Sequence, residues 1–281
     1  VATAPGASAA PPSPDHLALI SKFLGQACSA ENKKALSPLM FLVLALVPEI
    51  FLGDAGPAAR GLSVTAYSSS LPVGAGLGSS AAFCVATSAA LSRLSKLVST
   101  GGVARGDQSG GGGGGERPTV SELEEINAWA YAGETVLHGT PSGLDNTVSC
   151  FGGAIKFIKG MSGAGNVTEP IVGFPPLPIL LTNTLVPRET RALVARVRRL
   201  LEAHRAPTSA VFDAIGAVAD EFLELAAVGA GGGLTAEGVA ELAEMNHLLL
   251  SALGVGHPAL ERVCAVGREY GCKSKLTGAG G

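Results

Sequence analysis

Charge is the first thing this chain is short of. Of its 281 residues only 15% are Asp, Glu, Lys or Arg, against about 25% in ordinary soluble domains. The little charge present nearly balances, Lys+Arg 20 against Asp+Glu 23, so no basic footprint points to a nucleic-acid partner. Aromatics are scarce at 5%, with one tryptophan, and the cysteines are Cys28, Cys84, Cys150, Cys264 and Cys272. Five scattered thiols without a CxxC pair argue against a disulfide framework or a zinc site, and they fit a reducing compartment. Long apolar runs are missing too. The longest, Leu39 to Val47, lies between Pro38 and Pro48, far short of the roughly 20 residues that cross a bilayer. It reads as a buried helical segment, and no membrane partner is expected.

Glycine is plentiful, with Gly 39 and Pro 17, and hydrophobic residues reach 47%. That is enough apolar surface to offset the entropy of ordering a chain. The glycines have no period of three, which excludes collagen, and no internal repeat is found. The length suits two domains or one large one. The sequence starts at Val1 and stops inside a glycine run at Gly281, so both ends are expected to be cut.

Residues 1–14 read as a mobile lead-in and 15–52 as helical. Gly61 to Ser70 alternates enough to predict a strand, which runs into a glycine loop at 72–78 and a helix from Ser79 to about Leu97. Gly101 to Gly115, with six consecutive glycines from Gly110, is a flexible insert. Ser121 with Glu124 forms a capping box for the next helix, whose apolar stripe is Leu123, Ile126 and Ala130. A loop from Gly139 to Asn146 should lead to a strand pair around Gly152-Gly153. Ile179 to Thr182 reads as a buried strand. Pro187 then opens a helix over 188–203, and helices over 208–227 and 235–253 flank a glycine linker, Gly229 to Gly233. Strands and helices mix without regular alternation, which predicts an α+β fold.

Chemistry concentrates in two places. In Leu71-Pro-Val-Gly-Ala-Gly-Leu-Gly-Ser-Ser-Ala-Ala82, three glycines allow close backbone approach and positive φ. Ser79 and Ser80 then open a helix whose first amides and dipole suit a phosphate. No lysine precedes Ser79, so this is not a Walker A loop, and a tight turn with serine caps would explain it equally well in isolation. A hydroxyl at that turn also suits Mg²⁺. Glu134 falls on the apolar face of its helix, where a carboxylate is costly unless paired or bound to metal. Asp145 follows in a Pro/Gly-shaped loop. One carboxylate for magnesium and one to take a proton from an alcohol are the minimum for phosphoryl transfer, although each has a structural alternative in a helix-end acid or an Asx-turn.

Together these residues resemble a known pattern. Pro72 to Ala82 resembles the phosphate-binding motif of the GHMP kinases, the family of galactokinase, homoserine kinase, mevalonate kinase and phosphomevalonate kinase. Lys275-Leu-Thr-Gly-Ala-Gly-Gly281 resembles the start of their third motif, a second glycine loop. Glu134-Thr-Val-Leu-His-Gly-Thr-Pro-Ser-Gly-Leu-Asp-Asn146 looks like the mevalonate-phosphorylating branch of that family. So do Leu181-Thr-Asn-Thr-Leu-Val-Pro-Arg-Glu-Thr-Arg191, Met245-Asn-His and Leu253-Gly-Val-Gly-His257. The matches run from about residue 36 to the end.

The resemblance implies an ATP-dependent phosphorylation of mevalonate to 5-phosphomevalonate. The fold it implies is a ribosomal-S5-domain-2-like domain followed by a ferredoxin-like one, over residues 1–175 and 176–281, each incomplete. Ser80 and Glu134 would hold Mg²⁺, Asp145 would be the base, and Arg188 and Thr190 would sit near the transferred phosphate. Pro72, Gly74, Ala75, Gly76, Leu77, Gly78, Ser79 and Ser80, with Gly278, Ala279 and Gly280, would contact ATP. Structural hydrogen bonds are expected of His138, His247 and His257, and a solvated helix face of Arg191, Arg196, Arg198 and Arg199. A homodimer in the cytoplasm or peroxisome is also implied. The family's Pro-Gly-Lys strand and its phosphate-contacting lysine have no counterpart before Pro72, so the chain alone is expected to be poorly active. Two alternatives remain: another GHMP kinase acting on phosphomevalonate or galactose, and a non-catalytic nucleotide-binding sensor.

Overall fold

The computed structural model describes residues 9–25, 28–48, 62–69, 71, 76–99, 117–160, 166–172, 174, 176–186, 190–227 and 234–278. Two compact units emerge, Val1–Gly152 with Phe157–Thr168 and Gly153–Lys156 with Glu169–Gly281. The glycine insert at 101–115 and the linker at 229–233 lie outside the described residues.

In the first unit, Ser13 caps α1 (Pro14–Leu24), its hydroxyl accepting from the His16 amide at 3.2 Å. Pro14 takes the first helical position, where a missing N–H costs nothing. The single helical stretch predicted over 15–52 is in fact two helices. Gly25 ends α1, and α2 (Ala30–Leu46) starts again behind its own cap, Ser29. The apolar half of α2 forms the core as predicted, with Phe41, Leu42, Val43, Leu46 and Val47 buried against Leu91 of α3 (Ser79–Ser99) and Trp129 of α4 (Val120–His138). The Phe41 and Trp129 rings lie 6.5 Å apart and tilted by 51°, a geometry favoured by the ring quadrupoles. Glycine at position 133 permits the helices to meet. A Cβ there would come within 3.1 Å of Cys84 Sγ and 3.3 Å of Leu42 Cδ1.

The capping box of α4 sits two residues earlier than the sequence reading put it. Thr119 is the cap, accepting from the Glu122 amide at 3.3 Å, while the Glu122 carboxylate accepts from the Thr119 amide at 2.8 Å. Ser121 and Glu124 have the same spacing, but only Thr119 stands at the helix boundary. Lys96 of α3 also reaches Glu122, at 2.6 Å. The loop predicted over 139–146 is shorter than expected, because α5 (Leu144–Phe151) begins inside it and packs on α3 and α4. After Gly152 and Gly153, both at positive φ, β1 (Ala154–Ile158) pairs with β2 (Val167–Ile171) in a two-stranded sheet. With helices predominating and this one small sheet among the described residues, the chain is α+β.

In the second unit, α6 (Thr190–Ala203) packs on α7 (Arg205–Ala227), and α7 on α8 (Ala236–Ala252). The sequence reading missed α9 (Pro258–Glu269), which His257 caps by accepting from the Ala259 amide at 3.1 Å. His247 is fully buried, and its two nitrogens serve different elements. Nδ1 accepts from the Leu276 amide at 3.3 Å, while Nε2 faces Cys264 Sγ at 3.5 Å and Glu261 Oε1 at 3.4 Å. The residues Arg196, Arg198 and Arg199 are exposed. Arg196 also lays its guanidinium on Gly254, where a Cβ would meet Nη2 at 2.9 Å.

Two predicted strands do not form. Residues 62–69 carry no ladder, and 176–186 is coil, with Ile179, Leu180 and Leu181 exposed rather than buried. A strand exists only by pairing, and among the described residues neither segment has a neighbour to pair with.

Candidate active site

The first unit gathers its chemistry where α3 begins. Gly76 and Gly78 hold φ of 73° and 70°, a region open to glycine at little cost. The carbonyl of Gly78 accepts the first helical bond, from the Ala82 amide at 2.9 Å, so Ser79 and Ser80 occupy the first turn of α3. First-turn amides have no acceptor within their own helix and lie at the positive end of its dipole.

Glu134 reaches this turn from the last part of α4 and is only 5% exposed. Burial, the largest influence, pushes its carboxyl above the ordinary value, and the nearby Asp145 charge adds to this. A hydrogen bond from Ser80, the His138 ring and Cys84 pull the other way. Cys84 donates to Oε1 at 3.8 Å and is itself pushed up to about 12, chiefly by burial, which leaves it a neutral thiol and no nucleophile. His138 stands at the rim, its Nε2 3.5 Å from Ser80 Oγ and 3.7 Å from Glu134 Oε2.

Asp145 occupies the first turn of α5 instead of a loop, and it faces the glycine turn directly. A Cβ built on Gly78 would come within 3.3 Å of both Cβ and Cγ of Asp145. Neighbouring groups fix this turn. The Asn146 amide nitrogen donates to Asn127 Oδ1 at 2.6 Å, and Thr147 Oγ1 donates to the Gly143 carbonyl at 2.7 Å. Gly143 has φ of 83°, and the Tyr131 ring lies against its bare face while its hydroxyl donates to the Pro141 carbonyl at 3.4 Å.

Of the sequence candidates, Gly76, Leu77, Gly78, Ser79, Ser80, Glu134 and Asp145 thus fall in one unit around one helix start. Pro72, Gly74, Ala75, Arg188, Ala279 and Gly280 lie outside the described residues. Thr190 opens α6, and Gly278, at φ 73°, follows Thr277 in the second unit. From sequence His138 is expected to make only a structural hydrogen bond and Tyr131 has no assigned role, yet His138 stands beside this turn and Tyr131 packs on Gly143. The i, i+4 spacing of His138 from Glu134 was the available signal, since that spacing puts two side chains on one helix face.

Residues 43–115 match the GHMP kinases N terminal domain. The structure resembles that of L. major mevalonate kinase in complex with R-mevalonate, with a TM-score of 0.52 and 26% identity, covering 72% of this chain and 54% of that one. The α+β fold is thus similar to that of a mevalonate kinase, and the stretch 43–115 is similar to the GHMP kinases N terminal domain. More narrowly, its sequence is similar to those of curated mevalonate kinases. It is 44% identical to that of Bos taurus over 225 residues, 78% of this chain and 52% of the relative. Against the enzymes of Homo sapiens and Arabidopsis thaliana the identities are 43% and 39%, each over 76% of this chain and covering 51% and 53% of the relative. The chain therefore spans about half the length of the curated relatives it matches.

Proposed function

We propose that the protein transfers the γ-phosphoryl group of ATP to mevalonate, giving 5-phosphomevalonate for isoprenoid and sterol synthesis. The observation that carries this reading is the buried Glu134 carboxylate beside Ser80, with Asp145 against Gly78 at the same helix start. Identity to the mevalonate kinases supports it independently.

The donor set fits magnesium. A hydroxyl and a carboxylate are hard oxygen ligands that leave room for phosphate and water, and a buried acid pushed above its ordinary value gains from a counter-ion. Ser80 and Glu134 would hold the ion, which when bound supplies positive charge to the β- and γ-phosphates. The remaining work falls to the chain. With Pro72 leading into it, the loop of Gly74, Ala75, Gly76, Leu77, Gly78, Ser79 and Ser80 binds phosphate through its amides and the helix dipole. Asp145 accepts the hydroxyl proton as the alcohol oxygen attacks the γ-phosphorus, and the bond to the β-phosphate oxygen breaks to release ADP. Arg188 and Thr190 are assigned to the transferred phosphate, Arg188 by its charge. Gly278, Ala279 and Gly280 are assigned to a second glycine loop. A homodimer and a cytoplasmic or peroxisomal site complete the reading.

The test is a substrate panel on the full-length protein with ATP and Mg²⁺. Mevalonate should be phosphorylated, and phosphomevalonate and galactose should not. Preference for either of those would move the protein to another GHMP branch, and nucleotide binding without turnover would make it a sensor. Asp145→Asn should lower kcat by at least about 10²-fold, as expected for loss of a positioned base. Near-parental turnover in that variant would remove Asp145 from the mechanism.

A further inference from the structure

His138 lies in the last turn of α4, one turn beyond Glu134, and Gly139 at φ 71° ends the helix behind it. A single ring nitrogen, Nε2, faces both candidate metal ligands, Ser80 Oγ at 3.5 Å and Glu134 Oε2 at 3.7 Å. The His138 side chain is 55% exposed and that of Glu134 only 6%, so the ring stands at the rim and the carboxylate behind it. The second carboxylate oxygen, Oε1, points inward to the Cys84 thiol at 3.8 Å. That leaves Oε2 as the oxygen on the side of Ser80 and the ring.

Ser80 also acts on the Glu134 carboxylate, lowering its pKa against the effect of burial. A divalent cation held by Ser80 Oγ and Glu134 Oε2 would take a lone pair of each oxygen, so the hydroxyl could not then donate to that carboxylate. The hydroxyl proton then turns to another acceptor. Neutral imidazole has one acceptor nitrogen, and Nε2 of His138 is placed to be it. We propose that His138 is a positioning residue for the metal pair, its Nε2 accepting the Ser80 hydroxyl proton so that Oγ turns toward the ion. The inference rests on the reading of Ser80 and Glu134 as magnesium ligands. Groups that orient metal ligands in this way are worth about 10–100-fold in metal affinity.

Mn²⁺ binding, followed by electron paramagnetic resonance on the full-length protein saturated with a non-hydrolysable ATP analogue, tests it without reference to turnover. His138→Leu should weaken Mn²⁺ at least about tenfold, whereas His138→Gln, whose amide oxygen can accept the same proton, should stay within about threefold of the parent. Circular dichroism of each variant confirms that it is folded. Parental Mn²⁺ affinity in His138→Leu overturns the proposal. So does an equal loss in His138→Gln, because the ring would then act only by packing. Glu134→Gln separates the two levels. If it binds Mn²⁺ like the parent, the magnesium reading falls and His138 with it. If it loses Mn²⁺ while His138→Leu does not, only the role of His138 falls.

Discussion

A methyl group added at Gly78 would press on Asp145 Cβ and Cγ at 3.3 Å, on a backbone whose φ of +70° already disfavours any side chain. Two penalties therefore coincide at one atom. Gly78→Ala should cost about 1–2 kcal/mol of stability through backbone strain, visible as a lower Tm. It should also reduce kcat out of proportion to that loss, because Asp145 must move to admit the methyl. A variant with parental Tm and kcat would show that the turn and the acid are not in contact. Glu134 makes the same point about charge. Burial makes its ionised form expensive, and the magnesium proposed for this place would offset that cost.

Among the elements, α4 depends most visibly on one end. Thr119 and Glu122 satisfy each other's backbone amides, and Lys96 of α3 reaches the same carboxylate. Thr119→Ala should cost about 1 kcal/mol, measurable as a shifted urea midpoint. The Lys96 bond, followed by those to Thr119, lowers the Glu122 carboxyl to about 2. A lowered acid stabilises the fold above its unfolded value, 4.5, and that contribution is lost as pH falls toward about 2. The midpoint difference between Thr119→Ala and parent should therefore shrink across that window, and a constant difference would contradict the reciprocal cap. The Glu122 side chain is still reached by solvent, so its share is small.

How far these elements were legible in the sequence followed from where their causes lie. Helices α3, α4, α7 and α8 could be read because periodicity and caps are local. The box of α4 was misplaced since Thr119 and Ser121 offer the same chemistry two residues apart. Helix α5 was hidden under Pro141 and Gly143, which read as a loop although they only precede the helix. The strands predicted at 61–70 and 179–182 depended on partners elsewhere in space, which no local pattern reports. In the site, Glu134 and the glycine turn were visible from spacing. The contact of Asp145 with Gly78 was not, because it depends on how α5 packs on α3.

At the scale of the molecule the two units differ in how they fill their interiors. The first buries the aliphatic and aromatic side chains of α2 against α3 and α4. The second places a polar residue, His247, at a buried junction of α8, α9 and the Leu276 backbone. It also leaves Val172, Ile179, Leu180, Leu181 and Leu185 exposed, Leu180 at 88%. No charged residue occurs between Pro170 and Pro187, so nothing in that strip repels a second molecule. The consequence is colloidal. Apolar surface of this kind should make light scattering rise steeply with protein concentration and with added sulfate. Leu180→Lys should lower that scattering while leaving the far-ultraviolet spectrum unchanged, and equal scattering by the two proteins would acquit the strip. Pro175, Pro176 and Pro178 cannot donate to a ladder, so the aggregates should be amorphous and redissolve on dilution, with no fibrillar material to seed further loss.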